Sequence, residues 1–225
     1  MIKNIANLGD AAIYCDFGNE VNKEINSKVI KYFVALRNKN LKGITNLSPS
    51  YNKLVITFDL NETSYENLKQ EILHLDVDDK MDNNFKKIII PTCFDDDFSL
   101  DIDRLEKRLN KSKKEIINFF LKRKYFCYMT GFIAGMPFLG DTDNKIQLER
   151  LETPRVKVPK GSVGLTEQFC NIYTFESPGG WNIIGNTPIT IFNTRAKKIP
   201  NLISPGDEVT FYEITKKEYI KIYEK

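Results

Sequence analysis

Glycine and proline are concentrated between Gly131 and Gly185, in segments whose backbone could bind an anion. The densest run is Ser177-Pro-Gly-Gly-Trp181. Pro178 favours the second position of a turn and the two glycines after it tolerate positive φ, so we expect a rigid loop that exposes backbone N–H groups. Oriented amides of this kind bind carboxylate or phosphate oxygens. Taken singly, each cluster is more simply explained by ordinary β-turns in an all-β domain.

Two arginines in the same region could hold a carboxylate. Arg155 follows Pro154, which restricts the chain beside it, and a guanidinium can bind a carboxylate through two parallel hydrogen bonds. Arg150, five residues earlier, is a weaker candidate for the same role. A surface salt bridge would use either side chain equally well.

The chain has few residues for nucleophilic catalysis. His74 is its single histidine, so a catalytic Ser–His or Cys–His pair would have only this residue as its base. Ser162 and Ser177 lack both a nearby histidine and the Gly-x-Ser-x-Gly context of a hydrolase elbow. No Gly-x-x-x-x-Gly-Lys-Ser/Thr run is present, so no P-loop for ATP is predicted. Catalytic residues are not assigned.

No metal site is predicted. The run Asp95-Asp96-Asp97 has the ligand type, but three consecutive carboxylates in a turn cannot all face one ion, which favours turn or capping roles. The four cysteines are widely spaced and form no Cys-x-x-Cys pair. We expect reduced, mostly buried thiols.

Composition indicates a folded globular protein. Hydrophobic residues make up 41% and charged residues 28% of 225 residues, and 33 basic residues are interspersed with 30 acidic ones. Without a basic stripe, nucleic acid is not an expected partner. No apolar run reaches the roughly 20 residues that cross a bilayer, and the first residues do not resemble a secretion signal. We therefore expect a cytoplasmic protein with no membrane partner.

The first part of the chain predicts a small α+β sandwich. A strand is expected within residues 2–14, and apolar residues at helical spacing from Glu20 onward predict an amphipathic helix. Alternation over residues 53–59 predicts a second strand. Thr63 and Glu66 have the spacing of a capping box and predict the start of a second helix. Two helices should cover one face of an antiparallel sheet.

An acidic, polar stretch over residues 76–84 suggests a domain boundary, which gives domains 1–84 and 85–225. The second domain should begin with a strand at residues 86–91, followed by helices at residues 100–109 and after a capping box at Ser112 and Glu115. Short β-prone segments separated by Gly and Pro then predict a closed or sandwiched β structure. These segments are residues 125–132, 162–165, 171–175, 182–184, 189–192 and 208–212.

Short motifs spread over nearly the whole chain resemble the family of B-type 5-oxoprolinase subunits, also named allophanate hydrolase subunit 1 or sporulation-kinase inhibitor. The motifs are Gly9-Asp10-Ala11, Phe17-Gly18, Pro49-Ser50-Tyr51, Phe58-Asp59, Gly131-Phe132, Gly135, Leu139-Gly140, Thr153-Pro154-Arg155, Val158-Pro159, Gly161-Ser162-Val163, Ile172-Tyr173, Ser177-Pro-Gly-Gly-Trp181, Gly185 and Thr187-Pro188. The resemblance implies an N-terminal α+β domain and a C-terminal cyclophilin-like β-barrel.

The resemblance also implies an activity, which is the ATP-dependent opening of 5-oxoproline to glutamate. ATP would be a co-substrate of a heteromeric complex. The partners would be a larger cyclophilin-like subunit, of the kind called the C-type subunit of 5-oxoprolinase or allophanate hydrolase subunit 2, and an A-type hydrolase subunit. Two alternatives stay open: a subunit that acts on allophanate or another urea derivative, and a non-enzymatic inhibitor of a histidine kinase.

On this hypothesis one cleft of the barrel binds a small anionic substrate. Arg155, with Arg150, would hold a substrate carboxylate, and the loop that ends at Trp181 would offer backbone donors to an anionic oxygen. The predicted substrate-binding residues are Gly131, Phe132, Arg150, Arg155, Ser162, Tyr173, Ser177, Pro178, Gly179, Gly180 and Trp181.

Several positions depart from the family's pattern. Ala134 and Met136 stand where a proline and an aromatic residue are usual, and Phe120 replaces a common histidine. A glycine-rich stretch before Ile-Tyr is replaced by residues 167–171, Glu-Gln-Phe-Cys-Asn. This replacement is expected to remove glycines and a polar side chain from the pocket.

Overall fold

The chain divides into two compact units, residues 1–84 and 85–225. The computed structural model describes residues 2–77, 85–196 and 199–224. Most of the acidic stretch that suggests a boundary, residues 78–84, lies outside the described residues. Within the described ranges, no helix is both long enough and apolar enough to cross a membrane.

The first unit contains one antiparallel sheet and two helices. Its strands lie side by side in the order β1-β2-β4-β3. In chain order the elements are β1 (Asn4–Asn7), β2 (Ala12–Asp16), α1 (Lys23–Lys39), β3 (Ile44–Pro49), β4 (Lys53–Phe58) and α2 (Tyr65–Leu73).

Alternation along the strands fixes which face of this sheet is covered. In β4 every second residue is buried, and Ile56 packs in one core cluster with Val29 and Leu36 of α1 and with Leu68 of α2. The predicted sandwich is therefore confirmed.

Three local predictions in this unit need correction. The single strand expected in residues 2–14 is a hairpin, β1–β2, because Gly9 adopts φ +63° and lets the chain reverse. Helix α1 begins after Asn22, whose side chain accepts a hydrogen bond from the Ile25 N–H. Helix α2 is capped by Ser64, one residue after the predicted Thr63.

The second unit contains most of the strands. In chain order its elements are β5 (Lys87–Thr92), α3 (Ile102–Leu109), α4 (Lys113–Leu121), β6 (Tyr125–Thr130), β7 (Pro137–Gly140), a 3₁₀ turn (Asn144–Ile146), β8 (Arg155–Val158), β9 (Ser162–Thr166), β10 (Phe169–Ile172), β11 (Ser177–Gly179), β12 (Asn182–Asn186), β13 (Glu208–Glu213) and α5 (Lys216–Tyr223).

Seven of these strands form a nearly closed barrel. They lie in the order β12-β9-β10-β7-β6-β13-β5, and only β5 and β13 run parallel. Cys93, just after β5, exchanges two backbone hydrogen bonds of 2.8 and 2.9 Å with Asn186 at the end of β12. These bonds join the two edges of the sheet. The predicted fold class, a small α+β sandwich followed by a β-barrel, is confirmed.

The barrel interior is aromatic and aliphatic. Phe120 of α4 packs against Tyr125 and Phe211 with ring centroids 5.1 and 4.7 Å apart, so α4 contributes directly to the barrel core. The predicted capping box of α4, Ser112 with Glu115, is confirmed. All four cysteines are buried and unpaired, as expected.

Some elements of the second unit differ from expectation. Residues 189–192 form no strand, and only a single bridge joins Phe192 to Asn201. Strands β7, β8 and β11 and helix α5 were not predicted. These strands are only three or four residues long, and β7 and β11 contain proline and glycine, so their alternation is too short to detect.

Candidate functional site

The glycine–proline run folds differently from the loop that was expected. Ser177–Gly179 is strand β11, which pairs with β8 so that Gly179 lies opposite Arg155. Neither Gly179 nor Gly180 adopts positive φ. Gly179 is needed for another reason, because a Cβ at this position would overlap the hydroxyl of Tyr173. The run forms a covering ribbon rather than a turn of exposed amides.

A cavity of about 390 Å³ lies between this ribbon and the outer face of the barrel. Its described lining comes from four segments: the loop between β6 and β7, strand β7, the segment before β8, and the stretch from Tyr173 to Trp181. The lining residues are Phe132, Met136, Phe138, Arg150, Pro154, Tyr173, Pro178, Gly179, Gly180 and Trp181. Seven of these ten were predicted from the sequence, so the structure brings most of the candidate residues together.

Most of the cavity wall is apolar. The ring of Trp181 meets Phe138 edge-to-face at 5.5 Å, and Met136 is buried in the same layer as Tyr173. Phe132 stands at the rim, 69% exposed and with φ +67°, which is an uncommon backbone conformation for an aromatic residue. This wall suits a small ligand with hydrocarbon edges.

Arg150 is the charged residue among the ten lining positions. The next residue, Leu151, donates its N–H to the carbonyl of Gly180 at 2.6 Å, which ties the Arg150 segment to the covering ribbon. Within residues 2–77, 85–196 and 199–224, Arg150 has no ion pair or hydrogen bond to its side chain. Its guanidinium is exposed and available to an anion that enters the cavity.

Arg155 has a different environment from the one predicted for it. Its Nη2 donates to Asp101 Oδ1 at 2.5 Å, and the Asp101 side chain is only 4% exposed. The other carboxylate oxygen of Asp101 accepts the N–H of Ile183 at 2.7 Å. Arg155 is therefore committed to a buried ion pair that joins β8, β12 and the start of α3, and it is not among the cavity-lining residues.

Tyr173 connects the cavity to this ion pair. Its ring is 1% exposed, and burial raises the pKa of its hydroxyl. The neighbouring Asn171 amide, the Trp181 backbone and the positive charge of Arg155 oppose that rise in pKa. Tyr173 is therefore a neutral phenol at physiological pH.

Besides Arg155, three predicted residues lie outside the lining. Gly131 donates its N–H to the carbonyl of Met136 within the loop between β6 and β7. Ser177 is buried in β11, and its Oγ has no hydrogen-bond partner in the described part of the chain. Ser162 lines a second cavity, of about 380 Å³, together with Tyr219 of α5. The structure therefore separates Ser162 from Arg150 and Trp181.

Comparison with known proteins places this chain in a family. Residues 3–203 match the family described as carboxyltransferase domain, subdomain C and D. The chain is 31% identical to the B-type subunit of 5-oxoprolinase from Bacillus subtilis, over 96% of this chain and 94% of that protein.

The chain belongs to this carboxyltransferase family.

Two larger proteins contain a similar region. The crystal structure of TTHA0988 superposes with a TM-score of 0.82 and 28% identity, over 90% of this chain and 40% of that one. Urea amidolyase of Saccharomyces cerevisiae is 24% identical over 96% of this chain, which spans only 13% of that protein. In both cases the similar region is part of a longer chain.

Sequence reasoning missed Asp101, Phe138 and Pro154 of this carboxyltransferase fold. Asp101 is 54 residues from Arg155, and no local pattern marks its burial. Phe138 is part of a four-residue strand whose apolar residues resemble core positions. Pro154 belongs to the Thr153-Pro154-Arg155 motif that singled out Arg155, and that motif was the available signal for it.

The departures from the family's pattern lie in different places. Phe120 belongs to the barrel core, and Met136 lines the cavity. Residues 167–171 do not line it: Glu167 adopts φ +46° in the turn between β9 and β10, and Cys170 points into the barrel core. The expected loss of glycines and of a polar side chain from the pocket stays a prediction, since none of residues 167–171 is among the described lining residues.

Proposed function

We propose that this chain is the B-type subunit of a 5-oxoprolinase, which opens 5-oxoproline to glutamate with consumption of ATP. It would act with a second, larger cyclophilin-like subunit and with a hydrolase-type subunit. The identity to the Bacillus subtilis subunit over nearly the full length of both chains supports this assignment. The observation that carries it is a cavity in which an arginine, without an ion pair among the residues that the structure describes, lies against an aromatic wall. The ATP requirement, the partners and a cytoplasmic location remain predictions.

The chemistry of the substrate fits this cavity. 5-Oxoproline is a five-membered lactam with one carboxylate, and Arg150 would bind the carboxylate through parallel hydrogen bonds. The ring methylenes would contact Phe138 and Trp181. Opening the ring adds water oxygen to the lactam carbonyl carbon and breaks the C–N bond, so that the nitrogen leaves as an amine with the water proton. Hydrolysis of ATP to ADP and phosphate supplies the driving force.

Glutamate release by the assembled complex tests the proposal. The chain should be purified with its two partner subunits and assayed with 5-oxoproline in the presence and absence of ATP. Arg150→Gln removes a charge-assisted hydrogen bond to the substrate and should raise KM about 10- to 100-fold. Arg195→Gln changes another exposed arginine outside the cavity and should leave KM unaltered. No turnover by an intact complex would overturn the proposal.

A second candidate acts on a urea derivative such as allophanate. The similarity to urea amidolyase over 96% of this chain favours it. Allophanate also carries a carboxylate next to a planar amide, so the same arginine and wall would serve. Direct comparison of the two substrates on one complex separates the candidates, because the true substrate should have the higher kcat/KM.

A further inference from the structure

A polar side chain is enclosed beneath the apolar wall of the cavity. Asn171 of β10 is 0% exposed, and neither its Nδ2 nor its Oδ1 makes a hydrogen bond of standard geometry in the described part of the chain. Its neighbours Cys170 and Ile172 belong to the barrel core. Because side chains alternate along a strand, the Asn171 amide faces outward, toward the cavity.

The surroundings of this amide are the lining residues themselves. Asn171 pairs with Phe138 on one side and with Gly164 on the other. A Cβ on Gly164 would lie 2.7 Å from Asn171 Oδ1 and 3.0 Å from Trp181 Cβ, so the amide and the Cβ of Trp181 both lie over this glycine. The amide is also close enough to the hydroxyl of Tyr173 to influence its pKa. It therefore lies beside Phe138 and close to Trp181, which both line the cavity.

Such an amide is costly unless something pairs with it. A buried donor or acceptor without a partner destabilises a fold, and an apolar side chain of similar shape would avoid that penalty. A primary carboxamide presents one acceptor and one donor side by side. Its best complement is an amide whose N–H and C=O lie on the same edge, as in a lactam ring or a ureido group.

We propose that Asn171 is a specificity-determining residue of the cavity. When the Trp181 indole rotates away, the Asn171 amide hydrogen-bonds to the N–H and C=O of a cyclic or ureido amide. This inference rests on the proposed function for the substrate class. The ligand N–H donates to Asn171 Oδ1 and its carbonyl accepts from Nδ2. Arg150 holds the carboxylate of the same ligand, so two separate contacts define its chemistry.

Ligand binding to the full chain tests this without turnover. Trp181 is the single tryptophan, so its fluorescence reports on the cavity directly. The probes are 5-oxoproline and the matching lactone acid, in which a ring oxygen replaces the N–H. Wild type should bind the lactam about tenfold more tightly than the lactone. Asn171→Leu should bind both equally, while its melting temperature stays the same or rises. If Asn171→Leu does not fold, Asn171→Ala serves for the same comparison.

The control and the outcomes separate the alternatives. Asn201 also has an unpartnered side-chain oxygen but does not line the cavity, so Asn201→Leu should keep the lactam preference. An unchanged preference in Asn171→Leu, or a wild type that binds neither probe or both alike, overturns the inference. Loss of preference in the variant with no glutamate release by the complex would overturn the proposed function alone. Turnover with an unchanged preference would overturn only the role of Asn171.

Discussion

The buried ion pair between Asp101 and Arg155 should be a major source of stability in the second unit. Asp101→Ala removes the acceptor of Arg155 Nη2 and also that of the Ile183 N–H. In the described part of the chain Arg155 Nη1 is already buried without a partner, so the guanidinium would retain no buried counter-charge in this contact. The ribbon of β8 and β11, which covers the cavity, would lose its anchor to α3 and β12.

The exposed fractions of the two side chains determine how much folding stability Asp101→Ala should remove. Asp101 is 4% and Arg155 28% exposed. Breaking a buried pair on one side costs about 3 to 5 kcal/mol, and we expect about 3 kcal/mol because part of Arg155 reaches water. The pair formed by Arg108 and Glu149 is 58% and 52% exposed and has a similar N–O distance, 2.6 Å. Its contribution should stay below about 1 kcal/mol.

A pair of double-mutant cycles measures both quantities. The buried cycle combines Asp101→Ala with Arg155→Met, and the exposed cycle combines Glu149→Ala with Arg108→Met. Wild type, the single variants and the double variants should be unfolded in urea while Trp181 fluorescence is followed. The buried cycle should give a coupling energy of about 1 to 3 kcal/mol and the exposed cycle less than about 0.5 kcal/mol. A buried coupling energy as small as the exposed one would refute the idea that burial makes this pair important.

Two further predictions concern other parts of the molecule. Gly179→Ala should abolish ligand-induced changes in tryptophan fluorescence, because its Cβ would displace the Tyr173 hydroxyl. Gly180→Ala should preserve them, since its Cβ would come no closer than 3.5 Å to its neighbours. Equal effects of the two substitutions would contradict this prediction. Burial alone would raise the pKa of Asp16, but hydrogen bonds from Lys53 and a backbone N–H lower it below the ordinary value. The lowered pKa stabilises the fold above about pH 4, and this effect is lost as pH falls through the folded-state pKa. Asp16→Asn should therefore destabilise the fold most at about pH 7 and progressively less as pH falls below about 4; a pH-independent difference in melting temperature would contradict this.

The fold could be predicted where a local pattern extended over several turns or residues. The apolar spacing of α1 and the alternation of β4 gave the first unit, and the capping box at Ser112 gave the start of α4. Strands β8 and β11 could not be predicted, because neither is long enough for an alternating pattern to be detected. The pairing of Cys93 with Asn186, which closes the barrel, could not be predicted, because the two residues are far apart in sequence and no local pattern marks their pairing.

The sequence by itself determined which chemistry was available to this protein: one histidine, an arginine-bearing glycine–proline region, and no P-loop. It also determined the neighbourhood of the site, since residue types that permit turns and close approach are local properties of the chain. Only the tertiary structure decided which arginine is free. The sequence favoured Arg155 over Arg150, but Asp101, 54 residues away from Arg155, pairs with it, and Arg150 is the arginine that lines the cavity. Side-chain pairing across such separations depends on how strands pack, which no short pattern encodes.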